Sequence, residues 1–145
     1  MRSFFDGPVA VAGGLSSGHQ VRALQSMGAN FGFMGTRFLA AVESNAPADY
    51  RSMVIASSAD DITLTSEVSG MPANMLRLSL ERAGLSSKAA PTGTFDVSAQ
   101  TSAKAWRDVW GAGHGVGAVT CSEPVAQIAN QLIKEYGQPI TAETT

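Results

Sequence analysis

The sequence predicts an α/β fold built on parallel strands, either an open α/β sheet or a barrel, and three observations carry that expectation. Two short apolar runs, Pro8 to Ala12 and Phe31 to Met34, each end in a small-residue turn, Gly13-Gly14 and Gly35-Thr36. Consecutive apolar residues in such short runs read as strands buried on both faces. Between them Val21, Leu24 and Met27 recur three apart, behind Ser16 and Ser17 as caps and ahead of Gly28 at the C′ position of a helix. The connections are only a few residues long, so the order is βαβα, which demands parallel neighbours joined by crossover helices.

Each later element follows from its own pattern. A second helix opens at Gly35-Thr36 and runs through Arg37-Phe38-Leu39-Ala40. Pro47 near a helix start predicts a helix to Ser57. Asp60 to Thr65 alternates like a short strand, and Ser69-Gly70-Met71-Pro72 is turn chemistry. Ala73 to Ala83 is expected to be helical, Gly84 to Thr94 a loop, and Ala99 to Trp110 a helix. The run Gly111 to Gly117 is too rich in glycine for a regular element. Ser122 is expected to open the last helix, with Pro124 in its first turn, Val125, Ile128, Leu132, Ile133 and Tyr136 as its apolar stripe, and Gly137 at its end.

Composition narrows the function classes. With 44% hydrophobic and 15% charged residues, the 145-residue chain has the balance of a globular domain and not of a disordered one. A net charge of −2 without Lys/Arg runs argues against a nucleic-acid surface. No apolar stretch reaches the ~20 residues that span a bilayer, so no membrane partner is expected and a cytoplasmic location is the default. The single Cys121 excludes an internal disulfide and is expected to be an inert, partly buried thiol.

The chemistry-bearing pattern is the pair of turns. Gly13-Gly14 and Gly35-Thr36 each follow a strand and open a helix. Glycine lets backbone N–H groups approach an anion without an intervening Cβ, a helix start adds unpaired donors, and Thr36 adds a hydroxyl. Parallel strands carry both turns on one rim, so the sequence offers two half-nests for a phosphate; the alternative is two ordinary glycine turns. No G-x-G-x-x-G or Walker pattern is present. His19 and His114 are the only histidines and share no H-E-x-x-H spacing, so no metal site is expected. His19 reads as a surface or cap residue, Asp60-Asp61 as a turn, and Trp106 and Trp110 as core packing or a wall for a flat ligand.

The motifs in full resemble the nitronate monooxygenase family, formerly the 2-nitropropane dioxygenases. The resemblance lies in Pro8-Val9-Ala10-Val11-Ala12-Gly13-Gly14-Leu15, Ala23-Leu24, Gly28-Ala29 and Met34-Gly35-Thr36-Arg37-Phe38-Leu39. It continues through Tyr50, Ala56-Ser57, Asp60 to Thr65, Ser69-Gly70-Met71-Pro72-Ala73-Asn74 and Trp106 to Gly117, and so runs from Pro8 to Tyr136. It implies the C-terminal portion of a TIM (β/α)8 barrel, the last two βα units plus helical additions, incomplete alone. Residues 1–137 would be that portion and 138–145 a tail. It also implies non-covalent FMN, with Gly13 and Gly14 facing the phosphate from one loop and Met34, Gly35 and Thr36 from the next. Where the family commonly carries a Gln near the flavin, this chain has His114, a possible flavin-side contact.

The implied reaction is oxidation of alkyl nitronates by O₂. The family's catalytic base is a His in an Ala-Gly-Gly-His motif upstream of the first strand; here Gly13-Gly14 is followed by Leu15, so no catalytic residue is assigned. The chain is therefore expected to be inert alone, with an N-terminal half-barrel or self-association as partner. An FMN-dependent enoyl-acyl-carrier-protein reductase shares the Gly-Gly and Met-Gly-Thr-Arg-Phe motifs and is the first alternative; a non-catalytic half-barrel assembly module is the second.

Overall fold

A computed structural model describes residues 3–68, 70–85 and 107–139. Strand β1 (Ala10–Ala12) leads through helix α1 (Gly18–Ser26) to strand β2 (Phe31–Phe33), and the strands pair in parallel with Ala10 opposite Phe31 and Ala12 opposite Phe33. The crossover is fixed locally. Ser17 caps α1 in a reciprocal capping box with Gln20, and Gly28 at φ 95 ends it one residue beyond the C-cap Met27. A short helix α2 (Thr36–Leu39) follows β2, then α3 (Ala48–Ala56) behind Pro47.

A second sheet is antiparallel: β3 (Ile62–Thr65) pairs with β4 (Ala73–Leu76), Ile62 opposite Leu76. This corrects the helix expected from Ala73, since only Arg77–Arg82 (α4) is helical. Ala, Met and Leu are helix formers, but Met75 and Leu76 reach full burial only as strand residues against β3. A 3₁₀ turn (His114–Ala118) and helix α5 (Val125–Gly137) complete the described chain. Ser122 does not open α5: Pro124 is its N-cap, and the Ser122 hydroxyl donates instead to the Ala40 carbonyl at 2.7 Å. Trp106, Ser69 and residues 86–105 lie outside the described residues.

The core sits away from the parallel strands. Met53 and Val54 of α3, Leu76 of β4 and Ala112, Val116 and Val119 of the Gly-rich segment form one cluster, and Val68, Met75, Leu80 and Val109 a second. Tyr50 stacks on Trp110 at 5.1 Å against the first cluster, so Trp110 packs as the sequence suggested.

The β1–β2 pair contradicts the expectation of strands buried on both faces. Phe31 and Phe33 are 62% and 67% exposed, and Ala10 and Ala12 are exposed too. The reason is topological: the sheet has two strands, so each keeps an open edge. An apolar groove of about 660 Å³ runs beside β1, lined by Val9, Val11, Leu24 and Met27. Another of about 450 Å³ lies between β2 and α5, lined by Phe33, Phe38, Leu132 and Ile133. The expected stripe of α5 is correspondingly split: Ile128 is buried, while Val125, Ile133 and Tyr136 are exposed. Cys121 is exposed, not partly buried. Among the described residues no helix is long and apolar enough to cross a membrane.

Candidate functional site

Parallel pairing of Ala12 with Phe33 puts both strand-to-helix junctions at the same end of the sheet. At the first junction Gly13 and Gly14 adopt φ 100 and 66, a left-handed pair that side chains resist, and the space where a Cβ would stand is open at both. Most amides at the start of α1 just beyond already have acceptors. The Gln20 Oε1 accepts from the amides of Ser16 (2.7 Å) and Ser17 (3.0 Å), Ser17 Oγ accepts from Gln20 N–H, and Glu135 Oε2 accepts from Gly18 N–H at 2.8 Å. An anion at this junction would therefore draw on the Gly13-Gly14 turn more than on the helix end.

At the second junction Met34 is half-buried and Gly35 is the exposed N-cap of α2, again with open space at its Cβ position. Helix α2 has four residues, so its dipole is weak, and local amides and the Thr36 hydroxyl outweigh it. Arg37, next in sequence, is not turned toward an anion: it is 6% exposed and paired with Glu123 at 3.1 Å.

The Gly-rich segment joins the two junctions. Gly113 N–H donates to Thr36 Oγ1 at 2.8 Å, which leaves the Thr36 hydroxyl proton to point elsewhere. A Cβ on Gly115 would stand 3.2 Å from the Leu15 carbonyl oxygen and 3.4 Å from that of Gly14. Gly113 thus touches one turn and Gly115 the other, and exposed His114 lies between them in sequence. The sequence singled out Gly13, Gly14, Met34, Gly35, Thr36 and His114; it missed Gly113 and Gly115 as the bridge. Their density of glycine was the available signal, because close backbone approach tolerates no Cβ.

The other candidates fall outside this cluster. His19 is half-buried in the first turn of α1. Asp61 works as a turn residue: its Oδ2 accepts from Ser58 N–H (2.8 Å) and Oγ–H (2.9 Å), and its Oδ1 pairs with Arg77. Those Ser58 bonds, then Arg77, hold its carboxyl below the usual carboxylate range. Burial pushes the Tyr50 phenol up, and its hydroxyl donates to the Gly111 carbonyl beside the Gly-rich segment.

The sequence model of the nitronate monooxygenase family matches residues 1–135. A nitronate monooxygenase of Paraburkholderia phytofirmans is 28% identical over 142 residues, 92% of this chain and 39% of that protein. The solved nitroalkane oxidase of Streptomyces ansochromogenes is 30% identical with a TM-score of 0.71, over 93% of this chain and 41% of that one. FabK from Thermotoga maritima is 25% identical with a TM-score of 0.63, over 91% and 45%. The chain therefore spans about two fifths of the length of such relatives, and it belongs to the nitronate monooxygenase family.

Proposed function

We propose that this chain is the phosphate-binding end of an FMN-dependent oxidoreductase that oxidises alkyl nitronates with O₂. The observation that carries the reading is the convergence of three backbone segments: Gly13-Gly14, Gly35-Thr36, and the Gly113 to Gly115 bridge that touches both. The residues present fit a phosphate monoester. Gly13, Gly14 and Gly35 leave open space where side chains would otherwise stand, and Thr36 retains a hydroxyl proton to donate. Gly13, Gly14, Met34, Gly35 and Thr36 would hold the phosphate, and His114 would lie on the flavin side of it. When bound, the flavin supplies the redox chemistry that links nitronate to O₂.

The chain's own share is binding. Each charge-assisted hydrogen bond to the phosphate contributes about 1.5–3 kcal/mol before binding costs, enough to anchor a cofactor and too little to orient its ring for chemistry. In this reading β1 and β2 are neighbouring strands of a (β/α)8 barrel, and the grooves along their open edges are where adjoining βα units, or a second copy, would seat. The lone chain is therefore inert toward nitronates. The rival enoyl-acyl-carrier-protein reductase shares the same turns but would oxidise NAD(P)H; the TM-score of 0.71 to the nitroalkane oxidase, against 0.63 and 0.65 to FabK at 25% and 28% identity, supports the nitronate reading by a small margin.

Titrating the purified chain with FMN and with riboflavin, its phosphate-free counterpart, tests this. FMN should bind with micromolar affinity and riboflavin much more weakly. Equal binding of the two would remove the phosphate site, and nitronate turnover by the lone chain would remove the division of labour.

A further inference from the structure

One face of α5 carries Glu123 just ahead of the helix and then Gln127, Gln131 and Glu135, each four residues from the last. At that spacing such a stripe ordinarily faces water. Here its members are linked. Glu123 Oε1 accepts from Gln127 Nε2 at 3.1 Å, and Glu123 Oε2 accepts from the Arg37 guanidinium at 3.1 Å. Gln131 Oε1 accepts from the same Arg37 nitrogen at 3.1 Å, while Gln131 Nε2 donates to Glu135 Oε1 at 2.9 Å. Glu135 Oε2 then accepts from Gly18 N–H at 2.8 Å.

The ends of this chain of bonds are informative. Arg37 is one residue beyond Thr36, and Gly18 opens the helix that follows the Gly13-Gly14 turn. Gly18 is pressed onto α5: a Cβ there would lie 2.0 Å from the Leu132 carbonyl oxygen. The two junctions are held to a single helix by polar bonds, in addition to their contacts with the Gly113 to Gly115 bridge. We propose that the Arg37–Gln131–Glu135–Gly18 relay is a positioning device that sets the separation of the two anion-binding turns, and that Arg37, despite standing in the Gly-Thr-Arg motif, is a positioning residue and not a phosphate ligand.

The inference rests on the phosphate-site reading, and the experiment separates their failures. Gln131 is exposed, so replacing it leaves the core intact. Gln131→Leu cuts the relay at both its bonds. The double variant Gln131→Glu with Glu135→Gln exchanges the two side chains but leaves every donor facing an acceptor: the new carboxylate accepts from Arg37 and from the new carboxamide, whose oxygen accepts from Gly18. FMN and riboflavin affinities are measured for the full chain and both variants well below their melting temperatures. Gln131→Leu should weaken FMN about tenfold and leave riboflavin unchanged, because a supporting contact is lost and not a ligand. The double variant should restore FMN binding. Unchanged FMN affinity in Gln131→Leu, a parallel fall for both flavins, or no rescue in the double variant would overturn the positioning role. A wild-type chain that does not prefer FMN to riboflavin would overturn the phosphate site itself.

Discussion

Thr36 and Gly35 separate folding from binding at single positions. Thr36→Val removes the acceptor for Gly113 N–H and leaves that amide facing a methyl group. A cost of about 1–2 kcal/mol in stability is expected together with loss of FMN affinity, whereas Thr36→Ser should retain both, as thermal melts and flavin titration would record. Gly35→Asp behaves differently. Its backbone is right-handed and its Cβ position is open, so the fold should tolerate the side chain. The added carboxylate repels a phosphate, and FMN binding should vanish without a fall in melting temperature. Gly13 and Gly14 combine both effects, because their positive φ adds about 1–2 kcal/mol of strain for any side chain. Gly14→Ala should therefore lower the melting temperature and weaken FMN binding together. The sequence singled out these positions because small-residue turns follow both apolar runs, although ordinary glycine turns would read the same. The roles of Gly113 and Gly115 were not assigned from the sequence: glycine density marked the segment, but their partners lie about a hundred residues or nearly eighty away and tertiary contact is needed to identify them.

Between elements, the contact of α1 with α5 is set by Gly18. Gly18→Ala drives a methyl group into the Leu132 carbonyl, and since the obstacle is helix backbone, α1 must move. A loss of roughly 1–3 kcal/mol is expected on chemical denaturation, in the range of overpacked interiors. The turn before β3 responds to pH. Ser58 holds the Asp61 carboxyl below its unfolded range, so its contribution is present above the unfolded carboxylate pKa and is lost as pH falls through the lower folded value. Stability should drop under acid titration below about pH 4, and Ser58→Ala, which removes the hydroxyl bond and keeps the backbone one, should lessen that drop without abolishing it. The parallel βαβ unit was readable because Ser17, Gln20 and Gly28 mark both ends of α1. The β3–β4 hairpin was readable only in its first strand. Ala73 to Leu76 offers helix formers without alternation, and its pairing with Ile62 to Thr65 is a tertiary choice that overrides local preference. The polar bonds of α5 were not legible for a related reason, since Glu and Gln at four-residue spacing look the same whether they face solvent or a buried arginine.

For the molecule as a whole, the packed core lies under α3, the hairpin and the Gly-rich segment, while the parallel pair stays open at both edges. That imbalance matches a chain covering about two fifths of its relatives' length. The two strand-to-helix junctions are nonetheless in contact with both the Gly113 to Gly115 bridge and α5. In the proposed function one anion is accordingly grasped by both junctions before any ring or substrate site is complete. Backbone amide resonances of the ¹⁵N-labelled chain followed during FMN titration test this directly. The amides of Gly13, Gly14, Gly35, Thr36 and Gly113 should shift together along one binding curve, and riboflavin should leave them still. Shifts confined to one junction, or to the apolar groove between β2 and α5, would contradict it.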